Sequence, residues 1–305
     1  MPARALKVGV QLPEVEWEAR WADLRALAVR AEELGFDSLW YGDHLLYRRP
    51  GDRARGPWEA WTMLAGLAAA TSRITIGPLV AATAFHAPAM LAKMAATVDE
   101  ISGGRLVLGL GAGWNEREFA AFGFPFDRRI SRFAEAFTII RMLLREGAID
   151  FAGEFFTARD CELLPRPRPG GPPLMIGSSG PRMLEIAAPH VDAWNAWFNA
   201  FGNRPAGIAG LRQQVDAAAR TAGRDPATIE RTVAVHVRLP GGRGRVFGDA
   251  TPEVEPPLEG SPSEIAATLR AFAAEGIAHV QLVVDPITLA SLDALAPVLE
   301  DLDRG

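Results

Sequence analysis

The chain has 305 residues, 49% of them apolar and 23% charged, with one cysteine and a formal net charge of −5 from 32 Lys and Arg against 37 Asp and Glu. This length suffices for one large core or two ordinary domains, and the ordinary charge content excludes wholesale disorder. The lack of a basic excess argues against a dedicated nucleic-acid binder, and Cys161 alone builds neither an intramolecular disulfide framework nor a Cys-based zinc site.

The opening MPARALKVGVQLPE has no long apolar run, which predicts no signal peptide, no membrane span and a cytoplasmic enzyme. Leu6–Leu12 reads as a strand. Trp17–Leu34 follows as an amphipathic helix, with Trp21, Leu24, Leu27, Ala28, Ala31 and Leu34 on one face and Gly35 as its C-cap. Strand Phe36–Tyr41, helix Trp58–Ala70, strand Ile74–Val80, helix Pro88–Ile101, strand Arg105–Gly111 and helix Ile130–Leu144 continue the alternation. The second half repeats it: strand Leu174–Gly177, helix Arg182–Ala188, strand Ala193–Trp197, helix Ile208–Thr221, strand Arg231–Val237, helix Ser263–Glu275, strand Ala278–Val284 and helix Ile287–Leu302. Eight strands, each followed by helical sequence, predict a parallel sheet closed as a (β/α)₈ TIM barrel, with an open doubly wound sheet as the alternative. Residues 1–305 read as one such domain, with insertions near 147–173 and 239–262 expected to be active-site walls, lids or mobile loops.

In such a barrel the reacting groups sit where strands end and βα loops begin. The first strand offers Gln11, and the second Asp43 and His44. The third offers Leu79, Val80, Ala81, Ala82 and Thr83, and the fourth Gly111 to Asn115. The fifth offers Gly177, Ser178, Ser179 and Gly180, the sixth Trp194 and Asn195, and the eighth Gln281.

IGSSGPR, Ile176–Arg182, follows a strand and opens a helix. Its glycines admit an anion, its hydroxyls and N-terminal amides donate, and Arg182 adds a charge, so it reads as a phosphate loop or as a plain βα turn capped by Ser179. GLGAGW, Gly109–Trp114, is not a dinucleotide fingerprint. Its glycines suit either close packing at a rim or a planar ligand over bare backbone, with Asn115 beside it as donor and acceptor. His44 suits polarising a carbonyl or moving a proton near neutrality, or serves as a hydrogen-bonded structural histidine. Asp43, its neighbour, points to the other side of an extended chain. His86 precedes Pro88 in a loop that could face the site, whereas His190 and His236 read as structural. The sequence has no H-x-H, H-E-x-x-H or G-x-S-x-G and no carboxylate cluster at strand ends, so no metal site is expected and a metal hydrolase ranks last. The lack of acid–base machinery favours a cofactor bringing its own reactivity. Trp58, Trp61, Phe85 and Trp197 suggest an apolar, aromatic substrate pocket.

VGVQLP, GFDSLWYGDH, SRITIGPLV, HAPAMLAKMAATVDEISGGRLVLGLGAGWNEREFAAFG and IGSSGPRML with its later DAWN resemble the bacterial luciferase-like monooxygenase superfamily over nearly the whole chain. The DH pair and GLGAGWNEREF are most similar to its deazaflavin branch, the oxidoreductases that use coenzyme F420. This resemblance implies hydride transfer to or from a small organic substrate, and a homodimeric assembly. It implies a non-proline cis peptide at Leu79–Val80 bulging against the ring, His44 and Asp43 as the acid–base pair, and ring contacts from Gln11, Leu79, Val80, Ala81 and Asn115. Gly177, Ser178, Ser179, Gly180 and Arg182 would hold the phosphate. Dehydrogenases of this kind carry an acid near the fourth strand; here Glu116 and Glu118 are nearest and are expected to face away on the following helix. The alternatives are an FMN-dependent two-component monooxygenase, which would need a flavin reductase as partner, and a flavin-binding protein without turnover.

Overall fold

The structure is a computed structural model that describes residues 4–48, 51, 53–243 and 256–304. The elements run β1 (Lys7–Gln11), α1 (Trp21–Leu34), β2 (Ser38–Tyr41), α2 (Ala60–Ala70), β3 (Thr75–Pro78), β4 (Ala81–Ala82) and α3 (Pro88–Ser102). Then come β5 (Leu108–Gly111), α4 (Glu116–Phe122), α5 (Arg129–Glu146), β6 (Ala148–Ala152), β7 (Thr157–Glu162), β8 (Leu174–Ile176) and α6 (Pro181–Ala187). The chain finishes with β9 (Ala193–Ala196), α7 (Ile208–Thr221), β10 (Glu230–Arg238), α8 (Pro262–Ala274), β11 (His279–Asp285) and α9 (Leu289–Asp303).

A nine-stranded sheet runs β3-β2-β1-β11-β10-β9-β8-β5-β4. Its two end strands are consecutive halves of the expected third strand, split at Leu79 and Val80. Ile76 N donates to Arg105 O at 3.0 Å and Val107 N to Ile76 O at 2.9 Å, so β3 also grips the segment entering β5. The ring thereby closes as a parallel barrel, and the open-sheet alternative falls away. Side chains alternate along each strand. On β10, Val233, Val235 and Val237 pack outward against the helices, while Ala234 joins Trp40, Leu79, Met175, Ala193 and Val283 in a separate cluster that fills the bore.

Helix α1 starts at Trp21 rather than Trp17, because Asp23 accepts from Arg20 N at 2.8 Å and closes the first turn there. The 147–173 insertion is an antiparallel hairpin, β6 with β7, fastened along α5 rather than a loose lid. Glu135 on α5 accepts from the backbone of Glu154, Phe155 and Phe156 at the hairpin tip. Of the 239–262 insertion, residues 244–255 lie outside the described residues. Among the described residues, no helix is long and apolar enough to cross a membrane.

Candidate active site

His44 leaves the barrel just past β2, and Glu118 lies on the inner side of α4. His44 Nδ1 stands 3.0 Å from Glu118 Oε2. The same carboxylate accepts from Leu46 N at 3.1 Å and from Leu45 N, so one acid fixes both the imidazole and the backbone after it. Glu118 is fully buried, whereas the His44 side chain is 19% exposed. Burial by itself would depress the His44 pKa. The Glu118 bond and the fields of Glu14, Glu118 and Asp43 outweigh it and hold the pKa above the ordinary histidine value. His44 Nε2 makes no hydrogen bond among the described residues. The expectation that Glu118 faces away is therefore overturned. Four residues on from Trp114, it sits one turn into a helix whose inner face also buries Phe119. Glu116 remains exposed.

Asp43 takes a different part from His44. Its Oδ2 accepts from Ala82 N at 2.9 Å and lies 3.0 Å from His86 Nε2, so it braces the second half of the third strand. His86 does face the site, through Asp43. Gln11 donates from Nε2 to the buried Glu14, which also accepts from the Tyr47 hydroxyl at 3.3 Å. Tyr47 and Trp114 flank His44, with ring centroids 4.7 Å and 5.7 Å from the imidazole.

The Leu79–Val80 peptide is cis. Leu79 is buried in the bore cluster, and Ala81 is fully buried in the main core opposite Leu110. Val80 is partly exposed, and its isopropyl group fills a glycine cradle. A Cβ at Gly177 would stand 2.8 Å from Val80 Cγ1, one at Gly109 also 2.8 Å from Cγ1, and one at Gly111 2.9 Å from Cγ2. Gly109 and Gly111, read above as serving either rim packing or a planar ligand, and Gly177 of the phosphate-loop candidate thus make room for Val80.

Gly177, Ser178, Ser179 and Gly180 form a loop at the end of β8. Ser178 Oγ accepts from Gly180 N at 3.3 Å, the Ser179 hydroxyl makes no bond among the described residues, and a Cβ at Gly180 would meet nothing nearer than 3.7 Å. The loop is open enough for a phosphate. Arg182 pairs with Glu185 one turn along α6, both on the exposed face. Asn115 donates from Nδ2 to Leu46 O at 3.0 Å and so ties α4 to the His44 loop. Asn195 and Gln281 meet inside the bore: Asn195 Nδ2 donates to Gln281 Oε1 at 2.7 Å and to Thr232 Oγ1 at 2.8 Å.

Of the aromatics expected to line a pocket, Trp61 stands edge-on to His86 with ring centroids 6.4 Å apart, and Trp197 packs on Phe198 at 4.9 Å beside the bore cluster. Trp61 and Phe85 are buried, Phe85 between Phe119 and Phe124, and Trp58 is anchored through its N–H to Ala19 O at 2.9 Å. Among the described residues, the aromatic rings packed on His44 are Tyr47 and Trp114. Tyr47 and Glu14 are the residues that strand-end reasoning passes over, because loops carry them, whereas Trp114 is among the fourth-strand residues named above and Glu118 is an acid expected to face away. For Glu118 the signal is its place as one of the two acids nearest the end of the fourth strand.

The chain is 40% identical over 172 residues to pyrimidine monooxygenase RutA of Cronobacter sakazakii, covering 55% of this chain and 50% of that protein. It is 34% identical over 184 residues to the 5,10-methylenetetrahydromethanopterin reductase of Archaeoglobus fulgidus, covering 60% and 50%. The chain thus spans about half the length of the curated relatives it matches. An F420-dependent secondary alcohol dehydrogenase, solved in complex with an F420-acetone adduct, shares the fold with a TM-score of 0.80 at 21% identity, over 97% of this chain and 99% of that one. The model of the luciferase-like monooxygenase family matches residues 6–239, and the chain belongs to that family.

Proposed function

We propose that the protein is an oxidoreductase that uses coenzyme F420 to move a hydride to or from a small organic substrate, with His44 handling the accompanying proton. The observation that carries this is the His44–Glu118 pair. A buried carboxylate holds Nδ1 and leaves Nε2 without a protein partner at the barrel mouth. Reducing a carbonyl requires a proton at its oxygen, and oxidising an alcohol requires a group to take one. The bound deazaflavin would supply the hydride chemistry. Glu118 orients the imidazole and favours its protonated form, from which Nε2 would give a proton to a carbonyl oxygen; in the oxidative direction the neutral ring would take the alcohol proton at Nε2. Val80 would back the ring, and Ser178, Ser179 and Gly180 would hold the phosphate. The relative named as a reductase and the F420-dependent dehydrogenase of the same fold support this reading.

The similarity to a pyrimidine monooxygenase favours a second reading, an FMN-dependent enzyme that uses O₂ and a partner reductase. Titrating the purified protein with oxidised F420, FMN and FAD, followed by fluorescence quenching, separates the two. The proposal expects F420 to bind tightest; tight FMN binding with no response to F420 overturns it. His44→Ala should leave coenzyme affinity within a few-fold and lower turnover by about 10²–10⁴. An unchanged turnover would point to a carrier rather than an enzyme.

A further inference from the structure

We infer that Trp194 is a positioning residue for the phosphate loop: its indole N–H pins the Ser178 carbonyl and so turns the Ser179 N–H away from the core, towards an anion. The inference rests on the reading of Ser178, Ser179 and Gly180 as that loop. Trp194 lies on β9 between Ala193, which joins the bore cluster, and Asn195, which meets Gln281 in the bore. Side chains alternate along a strand, so the indole lies on the other face, fully buried in the main core. In register Trp194 stands beside Ile176 of β8, two residues before Ser178. The long indole spans that step, and Nε1 donates to Ser178 O at 2.9 Å.

The Ser178–Ser179 peptide is trans, and in a planar trans unit the C=O and N–H point in opposite directions. A carbonyl held against the buried indole therefore sends the Ser179 N–H the other way. Among the described residues, neither that N–H nor the Ser179 hydroxyl makes a hydrogen bond. Gly180 N is already given to Ser178 Oγ at 3.3 Å. The flanks of the loop are fixed as well: Gly177 N donates to Leu110 O and Leu184 N to Gly180 O, both at 3.0 Å. The peptide between the two serines is the unit whose orientation Trp194 sets. Free to turn, it would present a carbonyl dipole that repels a phosphate, and binding would first have to restore the N–H.

The test is calorimetric titration of wild type and Trp194→Phe with two matched pairs of ligands: riboflavin and FMN, and 8-hydroxy-5-deazariboflavin and its phosphate ester. Because Trp194→Phe also leaves space in the core, a second variant replaces the Trp194 indole by benzothiophene, which keeps the bicyclic shape and lacks the N–H. In the ring series that the protein takes, wild type should bind the phosphorylated member about a hundredfold more tightly than its partner. Both variants should lose about tenfold of that margin and bind the unphosphorylated member within about twofold of wild type. Intact binding of that member shows that the barrel is folded, and a purely structural role for Trp194 would weaken both members alike. The inference is overturned if the variants keep the margin, if both members weaken equally, or if wild type shows no phosphate margin on either ring. A margin kept by the variants would remove the part given to Trp194 alone, whereas its absence in wild type would remove the phosphate loop with it. Binding confined to the riboflavin pair would count against F420 and leave the test of Trp194 intact.

Discussion

Gly177→Ala separates two explanations of the glycines at the mouth. Gly177 does not have a positive φ, so alanine meets no backbone obstacle there. Its new methyl would stand 2.8 Å from Val80 Cγ1, 2.9 Å from Cγ2 and 3.4 Å from Cβ, closer than packed carbons approach. Overpacking of this kind costs about 1–3 kcal/mol, which for a chain of this size lowers Tm by roughly 2–5 °C. Val80→Ala removes both clashing methyls at a cost of about 1 kcal/mol, since Val80 is only partly buried. The double variant should then be more stable than the sum of the singles predicts, with a coupling of about 0.5–3 kcal/mol. Thermal unfolding of the four proteins, with coenzyme affinity measured in parallel, provides the cycle. If Gly177→Ala keeps its Tm, loses coenzyme affinity and is not rescued by Val80→Ala, the glycine serves the ligand and the cradle explanation is refuted.

Glu118→Gln should lower the His44 pKa and shift the basic limb of the pH–rate profile to lower pH. Because the folded-state pKa of His44 is raised, the pair stabilises fully below the ordinary histidine value of about 6.5 and loses that contribution as pH rises through the folded pKa. Wild-type Tm should therefore fall relative to Glu118→Gln as pH increases above that value, and parallel Tm curves would contradict the assignment. Ser38→Ala should cost about 2–5 kcal/mol in chemical denaturation. It leaves unpartnered both Trp40 Nε1, 2.7 Å away, and His279 Nε2, also 2.7 Å away, on an imidazole whose pKa burial lowers to about 3. Asn115→Ala breaks the tie to Leu46 O and should speed exchange of the Leu45 and Leu46 amides about fivefold, read by hydrogen–deuterium exchange, with little change in Tm.

Much of the fold is legible because hydrophobic period is a local property. Helix α7 falls at Ile208–Thr221 as expected, and most strands lie within one to three residues of their expected bounds. The β6–β7 hairpin was hidden by its composition: TARDCE alternates charge with small residues and carries no apolar stripe. At the site, His44 was readable as a residue type at a strand end. Its partner was not, because Glu118 lies 74 positions along the chain on a separate helix.

The alternation of strand and helix, the family resemblance and the strand-end positions of His44, Asp43 and the Ser178–Gly180 loop are all legible in the residues alone. Packing between distant segments sets which of these groups meet. It sent Asp43 to Ala82 N and His86, turned Ala81 into the core, paired Arg182 with Glu185, and set Glu118 behind His44 with Trp114 across its edge. The physical reason is that period and propensity act over a few residues, whereas a hydrogen bond between a buried acid and an imidazole depends on how a loop and a helix from different βα units close over the same barrel mouth.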